Sequence, residues 1–252
     1  MEEKTEVKIK SLQKALSVLD CFAEKPLLGV TEISEKLGLY KSNVHNILLT
    51  LKAMHYLEQD EESGKYRLSV AVFNLSRALT TTFAISKISL PYMQELADRV
   101  NERVFLAVPA GDEVLYLDST YPKESFSLMR IITGDRAKMY CTGVGRAMMA
   151  YLPEKVIDEY LSHPLKKYTD YTITDPAVLR TELARTRTRG YSIDNMEHEF
   201  GVRCIGMPIF NKYKKLEGGI SISGPAEHLS TEKLEEYAII LKNYITKIEE
   251  RI

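Results

Sequence analysis

The 252-residue sequence predicts an α+β protein in two parts, a small helical unit closed by a hairpin and a larger unit of antiparallel hairpins interspersed with helices. Three observations predict it. Between Ile9 and Leu68, helical apolar spacing recurs three times and then gives way to alternation on either side of a glycine-containing turn. Further on, two pairs of short apolar runs read as hairpins: Val104 to Val108 with Val114 to Leu117, and Val202 to Phe210 with Leu216 to Ser223. Between the parts, Val70 to Thr82 keeps a helical pattern through Val72, Leu75 and Leu79 and ends in the β-branched run Thr80-Thr81-Thr82, the mark of a connector.

The first helix is expected from Lys10 to Glu24, with Leu12, Ala15, Leu16, Leu19 and Phe22 on one face, stopping before Pro26. Thr31 is the expected N-cap of a second, two-turn helix carrying Glu32, Ile33 and Leu37, and Gly38 ends it. A third helix, about Lys41 to His55, places Val44, Ile47, Leu48, Leu51 and Met54 at core spacing, which turns Ser42, Asn43, His45, Asn46 and Thr50 outward. Tyr56 to Gln59 and Lys65 to Leu68 then alternate around Asp60 to Gly64. Helix, short helix, helix and hairpin is the order of a winged helix-turn-helix, whose third helix enters the DNA major groove.

In the second part, a helix from about Ile88 to Asn101 takes Pro91 in its first turn and leads into the first hairpin, which turns at Ala110-Gly111-Asp112. Asp175 caps a helix with Pro176 at its first position, and Arg185, Arg187 and Arg189 stand near its end before Gly190. The last helix aligns Leu234, Tyr237, Leu241, Ile245 and Ile248.

Lys+Arg 34 against Asp+Glu 35 leaves a net charge of -1, so no global positive field holds this chain on nucleic acid or a membrane, and such binding must be local. Residues 1–80 carry 11 basic and 11 acidic side chains, yet Lys36 to Leu57 contains no Asp or Glu while holding Lys36, Lys41, His45, Lys52 and His55. The third helix therefore carries a local positive field, whereas Asp60, Glu61 and Glu62 at the hairpin tip repel phosphates and only Lys65 and Arg67 offset them. No apolar run approaches the roughly 20 residues of a membrane span, and the acidic start fits no leader sequence, so a cytoplasmic location is expected. Cys21, Cys141 and Cys204 contain no C-x-x-C and read as reduced thiols.

Gly143-Val144-Gly145 lacks the remainder of a dinucleotide fingerprint and reads as a turn into a helix through Ala147 to Tyr151, whose first amides can hold a carboxylate. Ser221 and Ser223 must share one face of their strand, with Ile220 and Ile222 on the other. An even number of residues in the preceding turn would set Cys204 opposite one of those serines, and Asp194 can return to the same mouth. Asp194, His198 and Cys204 also admit two chemical alternatives, a metal site or a His198 and Cys204 nucleophilic pair, although neither spacing matches an established motif.

Five separated features, the N-terminal element order, Thr142-Gly143-Val144-Gly145-Arg146-Ala147, Arg189 to Glu197, Gly201 to Phe210, and Ile220 to Pro225, together resemble an IclR-type (isocitrate lyase regulator) bacterial transcription factor over nearly the whole chain. The resemblance implies a winged helix-turn-helix DNA-binding domain (1–69), a linker helix (70–83) and a GAF-like effector-binding and oligomerisation domain (84–252). It implies an effector, usually a small organic acid, held by residues matching Gly143, Val144, Asp194, Cys204, Ser221 and Ser223. Val144 departs from the family pattern, where a small residue such as Ala or Ser is common, and narrows the space.

The expected function is thus a DNA-binding transcriptional regulator, a repressor by resemblance. It is expected to act as a homodimer or homotetramer on a near-palindromic double-stranded operator, with no cofactor, no metal and no membrane partner. Ser42, Asn43, His45 and Asn46 are expected to read base edges, and Lys41 and Lys52 to meet phosphates. The alternative is a metabolite-processing enzyme with an appended winged-helix module.

Overall fold

The structure is a computed structural model, and it describes residues 7–75, 84–123 and 133–252. The chain divides into two compact units, Met1–Thr82 and Phe83–Ile252. The first unit runs α1 (Lys10–Glu24), α2 (Val30–Leu37), α3 (Lys41–Ala53), β1 (Leu57–Gln59) and β2 (Tyr66–Leu68). Its core joins Val18, Cys21 and Phe22 of α1 to Ile33, Val44, Leu48, Leu57 and Tyr66. Residues 71–75 are helical; the remainder of the expected linker helix, 76–83, lies outside the described residues.

Three local expectations need correction. The buried face of α1 is Val18, Cys21 and Phe22, whereas Leu12 and Leu16 are each 53% exposed. Only the C-terminal half of the helix meets α2 and α3, so the sequence pattern held two apolar faces, of which one packs. The N-cap of α2 is Gly29, two residues before Thr31, because the Glu32 carboxylate reaches back to accept the Gly29 N–H at 2.9 Å. Helix α3 ends at Ala53, and Met54, assigned to the core by spacing, is exposed.

The second unit contains α4 (Ala84–Val100), β3 (Arg103–Ala110), β4 (Glu113–Thr120), β5 (Arg136–Lys138), a 3-10 turn (Met139–Cys141), α5 (Gly143–Met149), α6 (Glu154–Leu161), α7 (Pro176–Arg189), β6 (Ser192–Asn195), β7 (Val202–Phe210), β8 (Leu216–Pro225) and α8 (Thr231–Glu249). Pro91 lies in the interior of α4, not its first turn, since the helix already includes Ala84. The caps of α7 are as expected: Asp175 accepts from Ala177 and Val178, and Gly190 sits at φ 82°. Strands β5 and β6 and helix α6 have no counterpart in the sequence expectation.

Six strands form one sheet in the order β5-β4-β3-β8-β7-β6, every pair antiparallel. Its two faces differ. Val104, Leu106, Val108, Ile205, Met207, Ile209, Ile220 and Ile222 point into a core completed by Met93, Leu96 and Ala97 of α4 and Leu234, Leu241, Ile245 and Ile248 of α8. Burying each such side chain is worth roughly 1.5–3 kcal/mol, so a one-residue slip that exposed a row of them would cost more than any local turn preference. The opposite face carries Asp194, Cys204, Gly206, Ser221, Ser223, Phe105 and Tyr116, and α5 covers it.

The β7–β8 register depends on a bulge. The connection 211–215 has five residues, an odd number, and Phe210 pairs with Leu216; unaided, that turn would set Ile222 opposite Cys204. Ile209 instead pairs with Gly218, so Glu217 is an extra residue and Cys204 meets Ser223. The turn is odd, and the bulge supplies the pairing of Cys204 with a serine that an even turn would have given.

Helix α5 approaches β7 backbone to backbone. A Cβ added at Gly206 would lie 2.5 Å from the Gly143 carbonyl carbon and 2.6 Å from the Val144 nitrogen, atoms that cannot swing aside. Gly206→Ala is expected to lose about 1–3 kcal/mol of stability by overpacking, read as a lower thermal midpoint; an unchanged midpoint would show that α5 is free to back away.

Candidate functional site

The outward side of α3 is open. Lys41, Ser42, Asn43, His45, Asn46, Thr50 and Lys52 are all exposed while Val44 and Leu48 are fully buried beneath them. Ser34 donates to the Leu39 carbonyl at 2.6 Å and Leu39 N–H returns to Ser34, pinning the turn that delivers α3. The cations are not equally available. Lys52 donates to Gln59 of β1 at 2.9 Å, Lys36 pairs with Glu24, Lys65 with Glu32 and Arg67 with Glu58. Lys41 makes no ion pair among the described residues. The two cations expected to offset the acidic hairpin tip are thus engaged by carboxylates within the same unit.

In the second unit the six residues expected to hold an effector converge. Asp194, Cys204 and Ser223 stand directly opposite one another on β6, β7 and β8, and Ser221 lies two residues along the last strand. Their exposures are 3%, 9%, 6% and 3%. The Ser223 hydroxyl donates to the Cys204 sulfur at 2.9 Å. Gly143 packs on Cys204, its missing side chain leaving 3.0 Å to the Cys204 Cβ, and Ser192 donates to the Gly143 carbonyl. The Val144 side chain is buried, one methyl 2.9 Å from where a Gly219 side chain would begin, so its bulk fills space that this glycine vacates.

Arg146 was not anticipated, and it dominates the local electrostatics. It is 1% exposed on α5, with its Nη2 2.6 Å from Glu197 Oε2, its Nε donating to Tyr140 O at 3.2 Å and its Nη1 to Ile193 O at 3.4 Å. A buried pair of this kind neutralises itself and leaves no cation over for a ligand. Asp194 accepts the Glu197 N–H at 2.7 Å and lies beside this pair. Burial pushes its carboxyl up to about 7, and the Glu197 charge adds to that while Arg146 and the backbone bonds oppose it. Cys204 is driven well above the ordinary thiol range by burial, then by Asp194, and burial raises Cys141 to about 12. Neither thiol is a thiolate at neutral pH, which removes the basis for nucleophilic chemistry here.

His198 sits with its Nδ1 3.7 Å from the Cys141 sulfur and its ring tilted on Tyr168 at 5.3 Å, and burial lowers its pKa. It therefore faces Cys141 and not Cys204. Among the described residues no group of three His, Cys, Asp or Glu side chains is arranged to hold a metal ion.

Comparison with known proteins then decides the lineage. The family model for the bacterial transcriptional regulator IclR C-terminal domain matches residues 77–250, and that for the IclR helix-turn-helix domain matches residues 11–61. The chain belongs to the IclR family of bacterial transcriptional regulators. It is 32% identical to the HTH-type transcriptional regulator KdgR of Escherichia coli (strain K12) over 95% of this chain and 91% of that one. The crystal structure of the Thermotoga maritima IclR has 32% identity, a TM-score of 0.80 and coverage of 96% of this chain and 98% of that one. An IclR homologue from Microbacterium hydrocarbonoxydans, complexed with 4-hydroxybenzoate, has 26% identity and a TM-score of 0.83 over 95% of this chain and 98% of that one.

As an IclR-family member this chain is a transcriptional regulator, not an enzyme, with its effector-binding region in the C-terminal domain. No helix among the described residues is long and apolar enough to cross a membrane. Sequence reasoning also missed Glu197, Ser192 and Tyr116. The signal for Arg146 was available: it is the one charged residue in the apolar stretch Val144 to Met149, three positions after Gly143 on the same helix.

Asp194 makes a testable statement about stability. Its folded pKa of about 7 lies above the ordinary 3.8, so the folded state keeps a proton that the unfolded chain has lost. Stability is thus favoured at low pH and declines between about 4 and 7 by up to roughly 1.4 kcal/mol per pH unit from this group. Asp194→Asn should flatten that decline in denaturant titrations from pH 4.5 to 7.5; an identical slope in both proteins would assign the titration elsewhere.

Proposed function

We propose that this regulator is a repressor in which a small carboxylate, bound on the polar face of the second unit's sheet, controls operator binding by α3. The observation that carries the reading is the row Asp194, Cys204 and Ser223 with Ser221 beside it. Four polar residues are buried together on one face of a sheet whose other face packs the main apolar core. Burying hydroxyls and a carboxyl costs free energy unless they are hydrogen-bonded, and a ligand on this face would supply partners beyond those the protein gives Ser223 and Asp194. The effector residues are Gly143, Val144, Asp194, Cys204, Ser221 and Ser223, with the first amides of α5 facing the carboxylate. The relative that holds 4-hydroxybenzoate supports a carboxylic acid as the ligand class.

Because Arg146 is neutralised by Glu197, an incoming carboxylate is best accepted when Asp194 carries its proton and donates. Affinity is therefore expected to fall as pH rises through about 7.

On the DNA side, Ser42, Asn43, His45 and Asn46 read base edges while Lys41, and Lys52 once it leaves Gln59, meet phosphates. A homodimer places two such helices on successive major-groove faces about 34 Å apart, on a near-palindromic operator in the cytoplasm. Dimerisation is supported by exposed apolar side chains on the first unit, Ile9, Leu12 and Leu16 on or beside α1 and Val70, Phe73 and Leu75 further on, which a second copy would cover. The domain limits remain those read from sequence, 1–69, 70–83 and 84–252. Differential affinity of the effector for two arrangements of the dimer, on the order of 1–3 kcal/mol, would couple the sites through the linker.

Thermal-shift screening against small carboxylates is expected to find a stabilising acid. Ser221→Ala combined with Ser223→Ala should then weaken the response to it while ligand-free operator binding persists; an unaltered titration would take these hydroxyls out of the pocket. Asn46→Ala is expected to blur discrimination among operator variants in gel-shift assays by about 1–3 kcal/mol at the affected base pair. Equal loss on operator and random duplex would mean that Asn46 reads no base.

A further inference from the structure

The hairpin joining β7 to β8 turns through Asn211-Lys212-Tyr213-Lys214-Lys215, which brings three ammonium groups and a phenol together with no Asp or Glu among them. Every side chain from Lys212 to Lys215 is exposed, Tyr213 at 78%, and none of the three lysines makes an ion pair with a described residue. Lys212 instead lies over the Tyr213 ring at 5.5 Å. Like charges crowded so closely repel one another, so this composition contributes nothing to folding.

The tip is nevertheless firmly built. The Asn211 side chain accepts the N–H groups of Tyr213 and Lys215 at 2.9 and 3.1 Å, its own N–H donates to the Lys215 carbonyl at 2.9 Å, and the Lys214 N–H, at φ 62°, donates to the Asn211 carbonyl at 2.8 Å. The carboxylates at the base are engaged there: Glu217 accepts the Asn211 side-chain amide at 2.7 Å, and Glu249 of α8 accepts the Phe210 N–H at 2.8 Å. Three free cations therefore stand on a fixed support.

The place of the tip in the second unit points to its partner. Gly218, three residues beyond Lys215, stands against α4, where an added Cβ would lie 3.1 Å from Ile85 Cδ1. The tip thus occupies the end of the unit at which the chain arrives from the helix-turn-helix. In the first unit Lys65 and Arg67 are paired with carboxylates and Lys52 is bonded to Gln59, so α3 and its hairpin offer phosphates little beyond Lys41. A duplex presents a continuous row of phosphates, which lysines meet as point charges and to which a tyrosine hydroxyl also donates. An arginine fork suits directed pairing with a single acidic group; three ammonium groups on flexible stems suit a row.

We propose that the β7–β8 tip is a second DNA contact, in which Lys212, Lys214 and Lys215 meet backbone phosphates outside the base pairs that α3 reads. It adds affinity and reads no sequence. This goes beyond operator reading by α3, which Asn46→Ala tests by itself.

The experiment is fluorescence-anisotropy titration of the full-length protein and of the combined variant Lys212→Gln, Lys214→Gln and Lys215→Gln, at several KCl concentrations. Two duplexes of equal length serve as probes, one selected by the wild type from a random library and one of scrambled sequence. A control variant removes the same charge elsewhere, through Lys166→Gln and Lys167→Gln on the α6–α7 connection and Lys233→Gln on α8. Each lysine that meets a phosphate contributes a slope of about 0.9 to log affinity against log salt, which at about 0.1 M salt is roughly 8-fold in affinity. The tip variant is expected to bind both duplexes at least about 10-fold more weakly at that salt, with a shallower slope, unchanged discrimination between them and an unchanged thermal midpoint, while the control binds as the wild type does. Wild-type affinity and slope in the tip variant would overturn the proposal and leave the lysines to an acidic protein partner; an equal loss in the control would overturn it in favour of total charge. Lysine acetylation read by mass spectrometry gives a measure that needs no variant. The selected duplex is expected to protect Lys212, Lys214 and Lys215 and not Lys233, and equal labelling of the tip with and without DNA also overturns the proposal.

Discussion

Contact between the backbones of Gly143 and Gly206 governs the second unit. It sets the height of α5 above the sheet, and that height decides which side chains of the polar face are shut in. Any side chain at Gly206 would meet peptide atoms of α5 at about 2.5 Å, and a wider gap would admit water to Asp194, Cys204 and Ser221. The unusual protonation states follow from that exclusion of water, since burial is the leading cause of the shifts at Asp194, Cys204, Cys141 and Tyr116.

Charge in this site is arranged for recognition and not for reaction. Arg146, the one fully buried cation among the described residues, is consumed by Glu197 and two carbonyls, the thiols are protonated, and His198 is turned to Cys141. What remains on this face is Arg103, opposite Ser223 with its guanidinium stacked on Phe105 and donating to Tyr121, together with hydroxyls and a carboxyl near its midpoint. Such a set offers no activated nucleophile.

The first unit applies the opposite logic. Its core is small, and Lys25, Lys36, Lys65 and Arg67 are paired with carboxylates of the same unit, so the side of α3 facing outward presents mainly amide, hydroxyl and imidazole groups with Lys41 at its start. With a net charge of -1 over the chain, long-range attraction contributes little. Selectivity must then arise from short-range contacts to base edges, in which a few well-placed side chains outweigh the total charge.

The amino-acid sequence alone determined the element order, because periods of 3.6 and 2 survive in any environment: α3 with its polar outer side, the capped α7, both long hairpins, and the shared face of Ser221 and Ser223. It also brought Gly143, Val144, Asp194, Cys204 and Ser221 to notice, through resemblance and strand alternation. Tertiary structure decided what periodicity cannot express. A bulge at Glu217 shifts register by one residue and so chooses Ser223 as the partner of Cys204. A bulge is a local loss of one ladder pairing that only packing of the whole sheet can stabilise, and no residue type announces it. The same holds for α1, where two apolar faces were equally written and contact with α2 and α3 buried one of them, and for Arg146, whose partner Glu197 lies fifty-one residues away and meets it only after the sheet has closed.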